Sequence, residues 1–278
     1  MQGNLAWAIA IILALFMWAS LSMFPKYYKD GRVFLSIRII LIIFLVFNQI
    51  ERTVYLVPIH TREMIESGYL SADTGEWGYV PNYFLMYFCT LSAWAAIILL
   101  IKPNKWVMDT FFPFMLMGPI VTFIFPTEKP YFWSTDPWDV INWFTFYFGH
   151  ACTLFAAMYL YLYGHTNYKF GRDAIFRSAI TAIIVVCGVE VWNQYFGSDY
   201  IVGEVAGALE LNWPRPYIML FILTVGTVYL GIGLSFAYFF KPIYGENAEQ
   251  KVHNTWWENF LGYVEKTQQS RKNEIGRK

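Results

Sequence analysis

Charge is scarce in this 278-residue chain: 14% of its residues are Asp, Glu, Lys or Arg, where ordinary globular chains carry roughly a quarter. The 20 basic and 20 acidic residues cancel, which excludes the net charge expected of a nucleic-acid binder or of a protein built for acidic substrates. Cysteine is scarcer still. Cys89, Cys152 and Cys187 all lie inside apolar runs and form no CxxC pair, so neither a disulfide framework nor a zinc site is indicated, and no metal or cofactor is expected. No internal repeat and no second soluble domain are visible. The first apolar run, residues 5–23, has no basic leader and no small-residue cleavage site after it. It reads as a retained span rather than a cleaved signal.

What the sequence has in plenty is apolar and aromatic residues, 57% and 21% of the chain. A membrane helix needs roughly 20 mainly apolar residues, and seven segments qualify: 5–23, 33–51, 82–101, 107–125, 139–163, 174–196 and 217–240. The expected fold is an all-α, polytopic membrane bundle of seven helices over residues 1–241, followed by a polar, basic tail, 242–278, partly helical at best. Pro113, Gly118 and Pro119 inside the fourth span predict a kink that neighbouring helices must satisfy. Orientation follows from the basic residues. Fifteen of the twenty fall on one side, in the loops after spans one, three and five and in the tail. Only Arg52, Arg62, Lys129 and Arg215 fall on the other, and Arg38 lies near enough to the inner end of span two to snorkel. The expectation is an N-terminus outside, a cytoplasmic C-terminus and a multi-pass location in a bacterial plasma membrane.

Polar residues inside a span are costly, so each is a functional candidate. Asn48 and Glu51 end span two at the outer side, and Tyr87, Cys89, Thr90 and Ser92 occupy the outer part of span three. Asp139, Asn142 and His150 descend one face of span five, and Cys187, Glu190 and Asn193 form a similar stripe on span six. Four helices thus bring polar side chains to the outer half of the bundle. Cys89 is eight residues below Pro81, about 12 Å, and His150 is twelve below Trp138, about 18 Å; helix tilt absorbs a mismatch of about 6 Å. A thiol and an imidazole in contact suit acyl transfer, with the thiolate attacking an ester carbonyl. Spacing alone favours Cys89 as a small buried hydrophobe and leaves His150 between interhelical hydrogen bonding and catalysis. Glu190 with Asn193 is equally a polar clasp or part of a site. Asp109 reads as a first-turn acid favouring the helix dipole, and the basic tail as a topology determinant.

The order of several short motifs resembles a known family. They are Phe47-Asn48-Gln49, Met86-Tyr87-Phe88-Cys89-Thr90-Leu91-Ser92, Phe148-Gly149-His150, Asn193 with Gly197-Ser198-Asp199-Tyr200, and Trp213-Pro214-Arg215-Pro216-Tyr217. Over residues 5 to 240 the chain resembles the bacterial integral-membrane proteins grouped with the eukaryotic transmembrane ether-phospholipid acyltransferase, more distant relatives of the androgen-induced lipid hydrolases. The resemblance implies a seven-helix, lipid-active protein with Cys89 as nucleophile and His150 as base. Tyr87 stands where the family usually has a histidine, Thr90 where it often has an acid, and a lysine–proline stretch is replaced by residues 202–207.

The expected function is a membrane-embedded, cysteine-dependent acyltransferase or lipid hydrolase acting on glycerolipid acyl chains. Asn48, Tyr87, Asn193 and Glu190 are the candidate substrate contacts. The expected partners are membrane lipids and, in the alternative reading, other membrane subunits to which the chain is a non-catalytic accessory. A third reading is a small-ligand transporter or binder using Glu190 and Asp139 as coupling acids. Nucleic acid is not an expected partner.

Overall fold

A computed structural model describes residues 2–53, 87–125, 130, 132–133, 137–196, 198 and 200–275. The chain forms α1 (Gln2–Met23), a short α2 (Pro25–Tyr28), α3 (Gly31–Glu51), α4 (Phe88–Ile101), α5 (Lys105–Ile124), α6 (Pro137–Leu162), α7 (Arg172–Phe196), a short α8 (Val202–Ala208), α9 (Arg215–Phe239) and α10 (Trp256–Ile275). Among the described residues the only β feature is an isolated bridge between Tyr244 and Lys251.

Among the described residues five helices are long and apolar enough to cross a membrane: α1 (from Gly3), α3, α5, α7 and α9. Their outward faces carry large apolar side chains in the open, such as Phe16, Ile40, Ile184 and Val228. So wide an apolar surface is tolerable only against lipid. The other two apolar segments differ. α4 is a 14-residue helix, and the outer part of the expected span, 82–86, lies outside the described residues. α6 is the longest helix, with 26 residues, and it is the axis of the bundle. Every residue from Ala151 to Leu162 is buried, because α1, α3, α4 and α5 all pack around it.

Small residues and indole donors set the close contacts. Ala6, Ala10 and Ala14 recur every fourth residue on α1 and face Trp143, Phe146, Tyr147 and Ala151 of α6, the spacing that lets two backbones approach in lipid. Three tryptophans then donate across helices to carbonyls: Trp7 to Phe123 at 2.8 Å, Trp18 to Ala151 at 3.0 Å and Trp143 to Ala6 at 3.3 Å. Pro113 and Pro119 sit inside α5, which continues past both as a helix. Gly233 of α9 lies so close to Pro113 and Met117 that a Cβ there would come within 2.8 Å of the Met117 side chain.

The end of the bundle from which α10 departs is tied by charge and by tyrosines. Arg38 donates to the carbonyls of Leu100 and Ile101 at 2.6 and 2.7 Å, closing the C-terminus of α4 where carbonyls lack helical partners. Asp109 corrects the first-turn expectation. Asn104 caps α5, accepting from the amides of Trp106 and Val107, and Asp109 is fully buried in the second turn. There one of its oxygens takes Lys105 at 2.7 Å and Arg177 of α7 at 2.5 Å. A buried carboxylate demands such partners, and these lock α5 to α7. Tyr163 donates to the Leu21 carbonyl and Tyr159 to that of Tyr28. The amides of Ile243 and Tyr244 both donate to Leu162.

The tail is more ordered than expected. Thr255 and Glu258 form a reciprocal capping box, Thr255 N–H to the Glu258 carboxylate at 2.9 Å and Glu258 N–H to Thr255 Oγ1 at 3.1 Å. That motif starts a helix, and α10 runs 20 residues from it.

Candidate functional site

His150 lies midway along α6. Its Nδ1 is 2.6 Å from the Phe146 carbonyl. A carbonyl only accepts, so Nδ1 carries the proton and Nε2 is left with its lone pair. The imidazole is thereby held in the tautomer a general base requires.

The end of α3 supplies the polar neighbours of that segment. Asn48, buried, donates from Nδ2 to the Thr145 carbonyl at 2.7 Å and accepts from Gln49 at 3.0 Å. It rests directly on Gly149, where a Cβ would stand 2.8 Å from Asn48 Nδ2; the glycine before His150 is what allows Asn48 in. Glu51 is also buried beside them, while the Thr145 hydroxyl donates to the Ile141 carbonyl of its own helix at 2.9 Å. The Arg52 guanidinium lies over the Phe146 ring, 5.2 Å from its centroid, within electrostatic reach of both Glu51 and His150. Arg52 and Thr145 were not among the sequence candidates. The signal for Arg52 was its spacing, four residues after Asn48 on one helix face.

Tyr87, Glu190 and Asn193 form a second group. Asn193 uses its amide fully: Oδ1 accepts from Ser198 Oγ at 2.9 Å and from the Tyr200 amide at 3.0 Å, while Nδ2 donates to the Tyr200 carbonyl and to Glu190. Glu190 is gripped by Arg215 through two parallel bonds, 2.6 and 2.9 Å, and by Gln194 at 2.8 Å. Paired bonds of this kind are the strongest ionic contacts available to a carboxylate. The clasp fixes the turn after α7 and joins it to the start of α9. Tyr200, held by it, meets the Tyr87 ring edge to face at 5.1 Å, so the clasp also sets the N-cap residue of α4.

Cys89 is two residues beyond Tyr87. Its Sγ lies 3.5 Å from where a Cβ on Gly118 would stand, and Tyr229 of α9 is within its electrostatic reach. Cys152 is buried and Cys187 exposed, and none of the three is in a disulfide. Cys89 and His150 sit on helices that touch, and a register mark relates their depths. Phe123 and Tyr147 are in ring contact at 5.9 Å. Gly118, beside Cys89, is five residues inward of Phe123, about 7.5 Å, and His150 is three residues inward of Tyr147, about 4.5 Å. Counted along ideal helices from that ring contact, the two levels differ by about 3 Å. Among the described residues no cluster of three or more His, Cys, Asp and Glu side chains is arranged to hold a metal.

An all-helical chain with five apolar helices of crossing length and lipid-ready outer faces is a multi-pass integral membrane protein. Its polar groups form two sets, one between α3 and α6 and one between α7 and the start of α9. The TMEM164 family profile matches residues 3–240, and the chain belongs to that family. No curated protein and no solved structure matches it.

Proposed function

We propose that this protein is a seven-span, membrane-embedded thiol enzyme that removes or transfers an acyl chain of a glycerolipid. In this reading α4 and α6 complete the five clear spans, the termini lie outside and in the cytoplasm respectively, and the membrane is a bacterial plasma membrane. The earlier resemblance to the ether-phospholipid acyltransferase supports the same assignment.

His150 Nε2 takes the proton of Cys89, and the thiolate attacks the ester carbonyl carbon. The tetrahedral intermediate collapses as the C–O bond breaks, and the imidazolium returns its proton to the departing lipid alkoxide, leaving a thioester. A second hydroxyl, of water or of an acceptor lipid, gives its proton to His150 and attacks the thioester; the C–S bond breaks, and the imidazolium returns the proton to the departing Cys89 thiolate. Asn48, Tyr87, Glu190 and Asn193 are the polar residues of the site. Asn48 and Tyr87 border the reacting pair, whereas Glu190 and Asn193 act through Arg215 and Tyr200. The observation that supports this reading is the contact of His150 Nδ1 with the Phe146 carbonyl at 2.6 Å, which leaves the lone pair to Nε2.

The test is labelling of the purified protein by a lipid-like fluorophosphonate or thiol-reactive acyl probe. Labelling of wild type that vanishes in Cys89→Ala and in His150→Ala is expected. Equal labelling of all three proteins sinks the proposal. A second reading, a non-catalytic subunit of a larger membrane assembly, is favoured by Tyr87 standing where the family usually has histidine. It requires a stoichiometric complex in mild detergent, with Cys89→Ala fully functional. The transporter reading is weakened by the closed Glu190–Arg215 pair, which leaves that carboxylate already engaged.

A further inference from the structure

We propose that α10 is an interfacial helix that lies on the anionic surface of the same bilayer the bundle spans. The inference does not depend on the chemistry at Cys89. The helix starts at the membrane end of the bundle: the segment before it is pinned to Leu162 by two backbone bonds, Tyr244 stacks on Tyr163, and α10 touches α1. Its first turn is therefore held at headgroup level and cannot leave the membrane surface.

From that anchor the helix is two-faced. At 100° per residue Trp256, Phe260, Leu261 and Tyr263 fall within an arc of roughly 160°. All four are exposed, Phe260 by 50% and Tyr263 by 70%. Asn259, Glu265, Lys266 and Gln269 lie outside that arc, and the apolar face is confined to the first half of the helix, since Arg271 and Glu274 return to the arc in its last turns. Within α10 Lys266, Arg271 and Lys272 balance Glu258, Glu265 and Glu274, and the positive excess lies at the C-terminal end, Arg271, Lys272, Arg277 and Lys278 against Glu274. An aromatic-rich face with low mean apolarity is the composition of helices that lie in the headgroup plane, and a basic end beside a span is drawn to anionic lipid. The occupant this face fits is the bilayer, already present at its base.

The test uses full-length protein reconstituted in vesicles, with Cys187→Ser removing the exposed native thiol. An environment-sensitive fluorophore is placed at Tyr263→Cys on the apolar face or Gln269→Cys on the polar face. Quenching by lipids brominated near the glycerol is compared in phosphatidylcholine alone and in its mixture with phosphatidylglycerol. Quenching at 263 should exceed that at 269 by at least about twofold, the gap should widen in the anionic vesicles, and Lys266→Glu with Lys272→Glu should remove the widening. Equal quenching at both positions overturns the proposal. So does lipid-independent shielding at 263 with crosslinking between copies, which would give the face to a second chain. A gap that ignores anionic lipid overturns the charge assignment.

Discussion

Replacing Gly149 by alanine tests whether α3 and α6 meet as described beside His150. In an open helical position Gly→Ala stabilises by about 1 kcal/mol. Here the new Cβ would stand 2.8 Å from Asn48 Nδ2 and 3.0 Å from its Cγ and Oδ1, well inside the carbon contact distance of about 3.5–4.0 Å. Asn48 must then give up its bond to the Thr145 carbonyl, worth about 0.6–1.5 kcal/mol, or the helices must separate, an overpacking cost of about 1–3 kcal/mol. Set against the helix gain, the net runs from about zero to a destabilisation of about 2 kcal/mol, and so about 1–3 kcal/mol below an alanine placed in open space. The decisive experiment is a double-mutant cycle with Asn48→Ala, followed by helical ellipticity during titration of bilayer-mimetic micelles with SDS. Once Asn48 is truncated the Cβ meets nothing it can displace, so the pair should cost less than the sum of singles by at least about 1 kcal/mol. Gly188→Ala on α7, with nothing within 4 Å, is the control and should be neutral or stabilising. Additive singles, or a Gly149→Ala variant as stable as the control, would refute the contact.

Arg177→Met leaves the fully buried Asp109 with Lys105 alone and should cost about 3 kcal/mol in the same titration; loss of less than about 0.5 kcal/mol would show the pair to be idle. Gly164, at φ +67°, has the Gly245 carbonyl where a Cβ would stand, so Gly164→Ala should destabilise by at least about 1 kcal/mol and loosen the tail from Leu162. His165, in the turn after α6, is half-buried and lies near Arg38, and desolvation and that charge together lower its pKa from the ordinary 6.5 to about 4. The unfolded chain therefore binds this proton first. Stability is whole above pH 6.5 and falls as pH drops toward 4, with a slope of at most about 1.4 kcal/mol per pH unit. His165→Phe should flatten that part of the stability–pH curve, and an unchanged slope would rule His165 out as its source.

Most of the helices were legible because lipid allows little choice: an apolar run of about 20 residues has to be a helix, and α1, α3, α5, α7 and α9 follow directly. α10 was under-read although Thr255-Trp256-Trp257-Glu258 spells a capping box, because low apolarity was taken to mean little structure. Asp109 was misplaced because its helix starts at Asn104, and its partner Arg177 is 68 residues away. The candidate site was legible as residue types at a depth. What sequence could not supply was pairing: that Asn48 fills the notch at Gly149, that Phe146 fixes the His150 tautomer, and that Asn193 spends its amide on Tyr200. Each is a contact between side chain and a specific backbone group, and such contacts leave no period in the sequence.

The burial of α6 from Ala151 to Leu162 has a consequence for how the chain is made. This helix carries Asp139, Asn142, Thr145, His150 and Thr153 and falls short of the apolarity of the five clear spans, so the translocation machinery has weak grounds for releasing it into lipid. Every helix that surrounds it, α1, α3, α4 and α5, is synthesised before it. If α6 is a span, as proposed above, the ribosome delivers its buried half into a socket already assembled from its neighbours.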